Sequence, residues 1–527
     1  MVTSQMISSV VNRGVSTRLA QISVLALFMA GLLPRLAIAL QPIHLQLDKM
    51  LPDDAYYYFL TAKNILEVGS PSVDGLNPSN GWHPLWMLVN LGIFALPTSN
   101  PDAPIHLILV LGAILDGLVV VILFYTLSKY VSLSAAVVGA GLYAINAMPM
   151  FQSVNGLETA LVALMLAATW TTSLRLIENP SRRWAFVWGL TFGLTFLART
   201  DTAVVLFWLG LYVLACLKGR TRWIITASGA VVASMTIAPW LVWNQINFGS
   251  AFVQVSGVAV PWAVQTRFQM ANPGEPLWQL SLKVLTDPVF WLRGDYLGAP
   301  PLMGFILWPA GLLGLWWSWR RGWVRLLMGI GGLLLVGCLC LVFIHTALRW
   351  YPRPWYFVVM AQALSLGVAF FWHLMSHSRL KFILISAMGI GVIFSGVLAW
   401  QIGYYPWQRS RMYDAALWVK DSTPEESIVA SMNSGIIGYY SDRTTINLDG
   451  VVNPQAFAAS QQGRLMDYIL ESEIDYFLDF DNAVLNEYGP FMGPNFQERL
   501  IEVAQIGEAY PGLGHYRVYL VSTNTDN

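Results

Sequence analysis

Residues 51–59 read Leu51-Pro52-Asp53-Asp54-Ala55-Tyr56-Tyr57-Tyr58-Phe59, and residues 80–86 read Asn80-Gly81-Trp82-His83-Pro84-Leu85-Trp86. Pro52 ahead of two acids is a good helix start, because proline suits the first turn and carboxylates favour the positive helix end. That accounts for stability, but not for two adjacent acids and three tyrosines preceding an apolar helical face. The whole stretch lies between two apolar runs, 19–40 and 105–127. Each is long enough to cross a bilayer, which takes roughly 20 residues. The acids therefore belong to a loop at the membrane surface, where a paired carboxylate suits a general base for a hydroxyl acceptor.

Outward from this loop, apolar runs recur at 132–150, 156–176, 184–198, 202–217, 223–243, 301–319, 326–347, 354–372 and 381–402. With the first two they predict eleven transmembrane helices. The run 83–97, opened by His83-Pro84 and closed by Pro97, is too short and reads as a juxtamembrane or re-entrant helix. The sequence Ala37-Ile38-Ala39 resembles a signal-peptidase site, but its apolar run is long and contains Pro34-Arg35. Segment 19–40 reads as a retained anchor.

With 83–97 not crossing, Arg13/Arg18, Lys129, Arg175/Arg182/Arg183, Lys218/Arg220/Arg222, Arg320/Arg321/Arg325 and Arg379/Lys381 share one side. By the positive-inside rule that side is cytoplasmic, so the N-terminus lies inside and the C-terminal domain outside the cytoplasm. The two long loops, 41–104 and 244–300, are then both external.

Composition agrees. Hydrophobic residues make up 56% of the 527 and charged residues 11%, against about 25% charged in soluble proteins. Residues 1–402 carry 23 basic and 13 acidic side chains, residues 403–527 carry 7 and 17, and 21 of the 23 tryptophans precede residue 403. The pattern is a polytopic helical membrane domain, 1–402, followed by an acidic extracytoplasmic domain, 403–527. Without a basic stretch in that tail, nucleic acid is not expected as a partner. The cysteines Cys216, Cys338 and Cys340 all lie in apolar runs and form no disulfide framework or zinc spacing.

In the tail, helical periodicity over 411–421 and 464–472 alternates with strand-like Ser427–Met432, Thr444–Leu448, Asp475–Phe480 and Tyr516–Val521, which predicts a small α/β domain. Asn433-Ser434-Gly435 makes a turn after the first strand, a place where such sheets often hold ligands, although the favoured expectation is that the domain caps the outer cavity and helps to choose an acceptor. Asp479-Phe480-Asp481 spells a divalent-ion motif but lies in a strand-like alternation, so it reads as structural. No Gly-rich phosphate loop or His-Glu-x-x-His appears.

The order of one span, an outer loop opened by an acidic pair, an aromatic-rich helix and an Asn-Gly-Trp-His-Pro-Leu-Trp segment resembles the GT-C superfamily of integral membrane glycosyltransferases. That superfamily includes protein O-mannosyltransferases, aminoarabinose transferases and arabinofuranosyltransferases. Asn155-Gly156-Leu157-Glu158-Thr159 resembles its Gly-x-Glu-Thr segment, and Leu197-Ala198-Arg199-Thr200-Asp201 its Leu-x-Arg-x-acid helix break. Asn244 with Phe248-Gly249-Ser250, Gly435–Tyr440 and Asn447-Leu448-Asp449-Gly450 add further likeness.

The resemblance implies inverting transfer of a sugar from a polyprenyl-phosphate donor to a glycan, lipid or protein acceptor outside the cytoplasm. It puts the base at Asp53; the family often has Glu where this chain has Asp54, which leaves open which of the two acts. His83 stands near a family Lys-Pro-Pro-Leu-Tyr segment and could face phosphate or acceptor. A lipid-phosphate leaving group needs cations, and Arg349 and Arg353, with His345 on the same helical face as Arg349, are outer-face candidates. Interfacial anchoring is the alternative for these arginines. Glu158, Arg199 and Asp201 either satisfy one another between helices or orient an acceptor or a metal. Asp116, mid-span, reads as a hydrogen-bonding partner of a neighbouring helix. Arg267, Arg293 and Asp295 are donor-site candidates without a motif. No resident cofactor is indicated, although a divalent metal is compatible with the outer acids. A lipid or glycan transporter or flippase, and a non-catalytic subunit of the same fold, are the rival readings.

Overall fold

In a computed structural model of the chain, the described residues are 17–279, 325–347, 353–375 and 378–523, with the isolated positions 282, 313 and 316. Apart from positions 313 and 316, the expected span 301–319 lies outside them, as do Arg293, Asp295 and Arg349.

The membrane domain opens with α1 (Thr17–Ala39), α2 (Asp53–Val68), α3 (Pro84–Phe94) and α4 (Asp102–Tyr130). It continues with α5 (Leu133–Ile145), α6 (Thr159–Glu178), α7 (Arg182–Ala198), α8 (Ala203–Cys216) and α9 (Gly219–Phe248). After α10 (Ala259–Ala271) come α11 (Arg325–Ala347), α12 (Val358–Leu374) and α13 (Leu380–Ile402). Among the described residues, seven helices are long and apolar enough to cross a membrane, and Leu133–Ile145 and Thr200–Cys216 are shorter apolar helices. Helix α3 has 11 residues; at about 1.5 Å per residue it is far shorter than a bilayer core of about 30 Å.

Local chemistry sets several boundaries. Helix α4 carries Asp102 in its first turn and Lys129 in its last, matching the helix dipole. Ser181 caps α7, and Gly249 ends α9 in the left-handed conformation. The run expected as one span at 132–150 is divided: Asn146 is extended and its side chain accepts the Met148 N–H, starting a separate short helix.

Helices α7 and α9 approach through glycine. A Cβ on Gly189 would lie 2.2 Å from the Gly229 carbonyl oxygen, so only small residues permit this crossing. Arg35 and Asp116, both fully buried, pair at 2.6 Å between α1 and α4. Arg35 also donates to the Gly31 and Ala144 carbonyls, and Tyr143 donates to Asp116 at 2.7 Å. The mid-span acid thus joins α1, α4 and α5.

The C-terminal domain contains α14 (Asp414–Ser422), β1 (Ile428–Ser431), α15 (Gly435–Tyr440), β2 (Thr444–Asn447), α16 (Pro454–Gln461), α17 (Leu465–Glu471), β3 (Tyr476–Phe480), β4 (Leu500–Tyr510) and β5 (Gly514–Val521). The sheet order is β2-β1-β3-β5-β4, with β1 parallel to β2 and β3 and the β3-β5-β4 side antiparallel. Strand β4 has no counterpart among the sequence-based strands. It is an edge strand with a mostly exposed surface, so burial imprints little alternation on it.

This domain is docked onto the Pro101-Asp102 corner and onto α10. Tyr439 donates to the Pro101 carbonyl at 2.6 Å, Tyr440 to Asp102 at 3.0 Å, and Arg267 of α10 to the Glu487 carbonyl at 2.7 Å. Trp262 packs on Phe491 with ring centroids 4.8 Å apart.

Candidate functional site

The two neighbouring acids at the start of α2 face different surroundings. Asp53 is buried, and its carboxylate accepts the N–H groups of Gly435 at 3.1 Å and Ile436 at 2.7 Å. The approach is close enough that a Cβ on Gly435 would stand 2.4 Å from the Asp53 carbonyl oxygen. Asp54, the next residue, is exposed and lines a cavity of 410 Å³ between the membrane domain and the C-terminal domain. Burial pushes the Asp53 carboxyl up to about 7, against the pull of the two N–H groups. Asp54, although open to the cavity, is partly desolvated by the cavity walls, which raises it too, with Arg353 opposing and Glu158 adding to the shift.

Each tyrosine of the 56–58 run has its own partner. The Tyr56 hydroxyl meets that of Tyr440 at 3.2 Å, and Tyr57 accepts from the Asn447 amide at 3.4 Å. Tyr58 donates to Glu158 at 3.0 Å and accepts the His83 N–H at 3.1 Å. The run therefore ties α2 to the C-terminal domain on one side and to the cavity floor on the other.

Glu158 precedes α6 on a turn fixed by Asn155, whose side chain accepts the Leu157 N–H, and by Gly156 at φ +79°, whose carbonyl takes the Trp86 indole N–H. Its carboxylate stands 3.7 Å from Arg199 and 3.9 Å from His83. Arg199, in the break between α7 and α8, binds Asp201 at 2.6 Å and stacks over Tyr356 at 4.1 Å. Asp201 in turn lies 3.3 Å from His345, whose ring stacks on Tyr356 at 4.7 Å. The result is a chain, Tyr58–Glu158–Arg199–Asp201–His345, along the cavity wall. The Nδ1 of His83 and Oδ1 of Asp201 are buried without a hydrogen-bond partner among the described residues.

The Asn80–His83 segment is held by the end of α9 and the residues that follow it. The Asn80 amide donates to Asn244 and to the Val253 carbonyl, both at 3.0 Å, and Gln254 donates to the carbonyls of Asn80 and Trp82.

Seven residues chosen from sequence line this one cavity: Asp54, His83, Glu158, Arg199, Asp201, His345 and Arg353. Asp53 is not among the lining residues, and Arg349 lies outside the described ones. Arg267 is engaged with Glu487 in the C-terminal domain. Asp479 accepts the N–H groups of Met432, Asn433 and Phe480 and the Ser431 hydroxyl, while Asp481 pairs with Arg517. Both acids of that Asp-x-Asp are committed to the fold. Among the described residues, no three His, Cys, Asp or Glu side chains group as a metal site. The sequence reading missed Trp82 and Asp449 as lining residues. Asp449 sits in a turn directly after β2, the same position that drew attention to Asn433 after β1; that turn was the available signal.

Residues 99–243 match the family model described as dolichyl-phosphate-mannose-protein mannosyltransferase, and residues 401–521 match one described as a domain of unknown function (DUF8728). No curated protein matches the chain. Among solved structures, ArnT from Cupriavidus metallidurans in the apo state is 12% identical with a TM-score of 0.56, covering 94% of this chain and 97% of that one. The oligosaccharyltransferase AglB from Archaeoglobus fulgidus, complexed with an inhibitory peptide and a dolichol-phosphate, is 14% identical with a TM-score of 0.52, covering 95% of this chain and 74% of that one.

Proposed function

Given a multi-pass membrane chain with the GT-C glycosyltransferase fold, we propose that it transfers a sugar from a polyprenyl-phosphate donor to a hydroxyl acceptor, with Asp54 as the base. The observation that supports this most is the convergence of Asp54, Arg353 and the Glu158–Arg199–Asp201–His345 chain on one cavity beside the outer loop. The match of residues 99–243 to a dolichyl-phosphate-mannose-protein mannosyltransferase model agrees with the donor class. Among the described residues, Lys129 and Arg175 sit in the last turns of α4 and α6 while Asp102 and Glu158 stand at the starts of the same helices, which is consistent with transfer outside the cytoplasm and a cytoplasmic N-terminus.

In this reading Asp54 takes the proton of the acceptor hydroxyl as its oxygen attacks the sugar's anomeric carbon. The bond from that carbon to the phosphate oxygen breaks, its electron pair leaves with the lipid phosphate, and the configuration inverts. Arg353 neutralises the departing phosphate, with Arg349 as a second candidate cation and His345 and His83 as hydrogen-bond donors to it. A base is most useful when its pKa lies near the working pH, and the upward shift of Asp54 moves it in that direction. Asp53 is the less suitable base, because its carboxylate already accepts two backbone N–H groups.

The test is transfer from a panel of radiolabelled polyprenyl-phosphate sugars in membranes. Wild type should form a labelled product, and Asp54→Asn should lose transfer by about 10²–10⁴-fold, the usual contribution of a general base, while still binding donor lipid. Asp53→Asn should keep measurable turnover in a less stable protein. Transfer by Asp54→Asn at the wild-type rate would refute the assignment, and silence of wild type across the panel with native acceptors present would refute the activity.

A further inference from the structure

The C-terminal domain supplies its own polar wall to the cavity. Asn433 follows β1 and Asp449 follows β2, so both stand at the carboxyl ends of adjacent parallel strands and both line the cavity. Open sheets present ligand-binding loops at that end.

The two turns are fixed from behind. The Asn447 side-chain oxygen accepts the Gly450 N–H at 3.1 Å, and its amide donates to the Met432 carbonyl at 2.9 Å, tying one turn to the other. Asp449 accepts the Val451 N–H at 2.8 Å, and the Asn453 amide donates to the Asn447 carbonyl at 2.9 Å. Buried Asp479 holds Met432 and Asn433 by their N–H groups.

Trp82 meets this wall from the membrane domain. A Cβ on Gly81 would come within 2.6 Å of the Val451 carbonyl oxygen, so the Asn80–His83 segment lies directly against the Asp449 turn. Trp82 lines the same cavity and is supported by Trp240 and Trp243, with ring centroids at 4.9 and 5.5 Å.

An indole, a carboxyl and a primary amide converging on one cavity suit a ring bearing several hydroxyls. The aromatic body packs on the ring, and the polar groups donate to and accept from its hydroxyls. A peptide held by main-chain pairing needs a strand edge, and the C-terminal-domain residues lining this cavity, Asn433, Asp449, Val451 and Val452, belong to turns rather than strands. We propose that Asn433, Asp449 and Trp82 form the acceptor subsite and that the acceptor is the sugar end of a glycan or glycolipid. The word acceptor rests on the transferase reading above; the binding of a sugar here does not.

Saturation-transfer NMR on the full-length protein in micelles tests this, using methyl hexosides and methyl pentosides as probes and a Ser/Thr peptide as control. Wild type and Asp54→Asn should both give a glycoside signal. Asp449→Ala and Asn433→Ala should weaken glycoside affinity about tenfold each, the equivalent of one hydrogen bond to a polar partner. Asp449→Asn, which keeps an acceptor for the Val451 N–H, should fold as wild type and show an intermediate loss. A glycoside signal indifferent to Asp449 and Asn433, or a signal from the peptide alone, would overturn the proposal. In the transfer assay, Asp449→Asn should raise the KM for acceptor at constant donor affinity, and an unchanged acceptor KM would remove the subsite while leaving the transferase in place. Conversely, glycoside binding in a protein that transfers nothing would remove the transferase and leave the subsite.

Discussion

At the residue scale, neighbours in sequence have been given unlike work by a hundred-degree step around one helix. Asp53 points at the N–H groups of Gly435 and Ile436, and Asp54 points into the cavity. A similar contrast separates the arginines. Arg199 is buried between Glu158 and Asp201, so Arg199→Met leaves two acids without their cation. It should destabilise the protein by about 3–5 kcal/mol, as loss of one partner from a buried ion pair does. Arg353→Met should lower donor affinity with little change in the unfolding midpoint. Thermal unfolding beside donor-binding titrations separates the two, and equal destabilisation by both would contradict the assignment.

The same residues give a pH dependence. Burial raises Asp53 to about 7 and Asp449 to about 8, whereas an aspartate in an unfolded chain titrates near about 3.9. The folded state holds these protons more tightly, so this stabilisation is complete below about pH 4 and is lost as pH rises through 7 and 8. The unfolding midpoint should therefore fall between pH 5 and pH 8.5, and Asp449→Asn should flatten the upper part of the curve. A slope identical in wild type and variant would show that Asp449 does not titrate there.

At the element scale, the helices are held by two devices of opposite chemistry. Small residues bring α7 and α9 together, and Gly229→Leu should abolish their crossing, because even a Cβ there meets Trp188 at 2.5 Å. A buried ion pair joins α1 to α4. Asp116→Leu alone leaves Arg35 buried and unpaired and should lower the yield of folded protein sharply, whereas Arg35→Met with Asp116→Leu should recover much of it. Detergent-solubilised yield and unfolding midpoints for the two single variants and the double variant measure the coupling. Equal losses in single and double variants would show that the pair contributes nothing.

At the scale of the whole molecule, the cavity is a joint product of two domains. The membrane domain brings Asp54, Arg353 and the Glu158–Arg199–Asp201–His345 chain, and the C-terminal domain brings Asn433 and Asp449. Docking is fastened by Asp53, by Tyr439 and Tyr440 on the Pro101-Asp102 corner, and by Arg267 on Glu487. The charge bias predicts that this assembly faces outward. A cysteine introduced at Ser472 in a cysteine-free background should react with an impermeant maleimide in intact cells, and one at Lys218 only after lysis. The reverse pattern would invert the topology and with it the side on which transfer is proposed.

Apolar run length was enough to mark the long helices of the membrane domain, because the bilayer imposes length and composition on every spanning segment locally. Strand-like alternation marked four strands of the C-terminal sheet, but not the exposed edge strand β4, whose side chains no core selects. The acids, arginines and histidines of the cavity were also readable, since charged groups beside a membrane stand out from their surroundings. Their division of labour was not. Whether Asp53 or Asp54 meets the cavity, and that Asp449 and Trp82 share it, depends on contacts between residues hundreds of positions apart. Only the docking of the C-terminal domain onto α2 fixes those contacts, by giving the Asp53 carboxylate its two backbone donors and leaving Asp54 open.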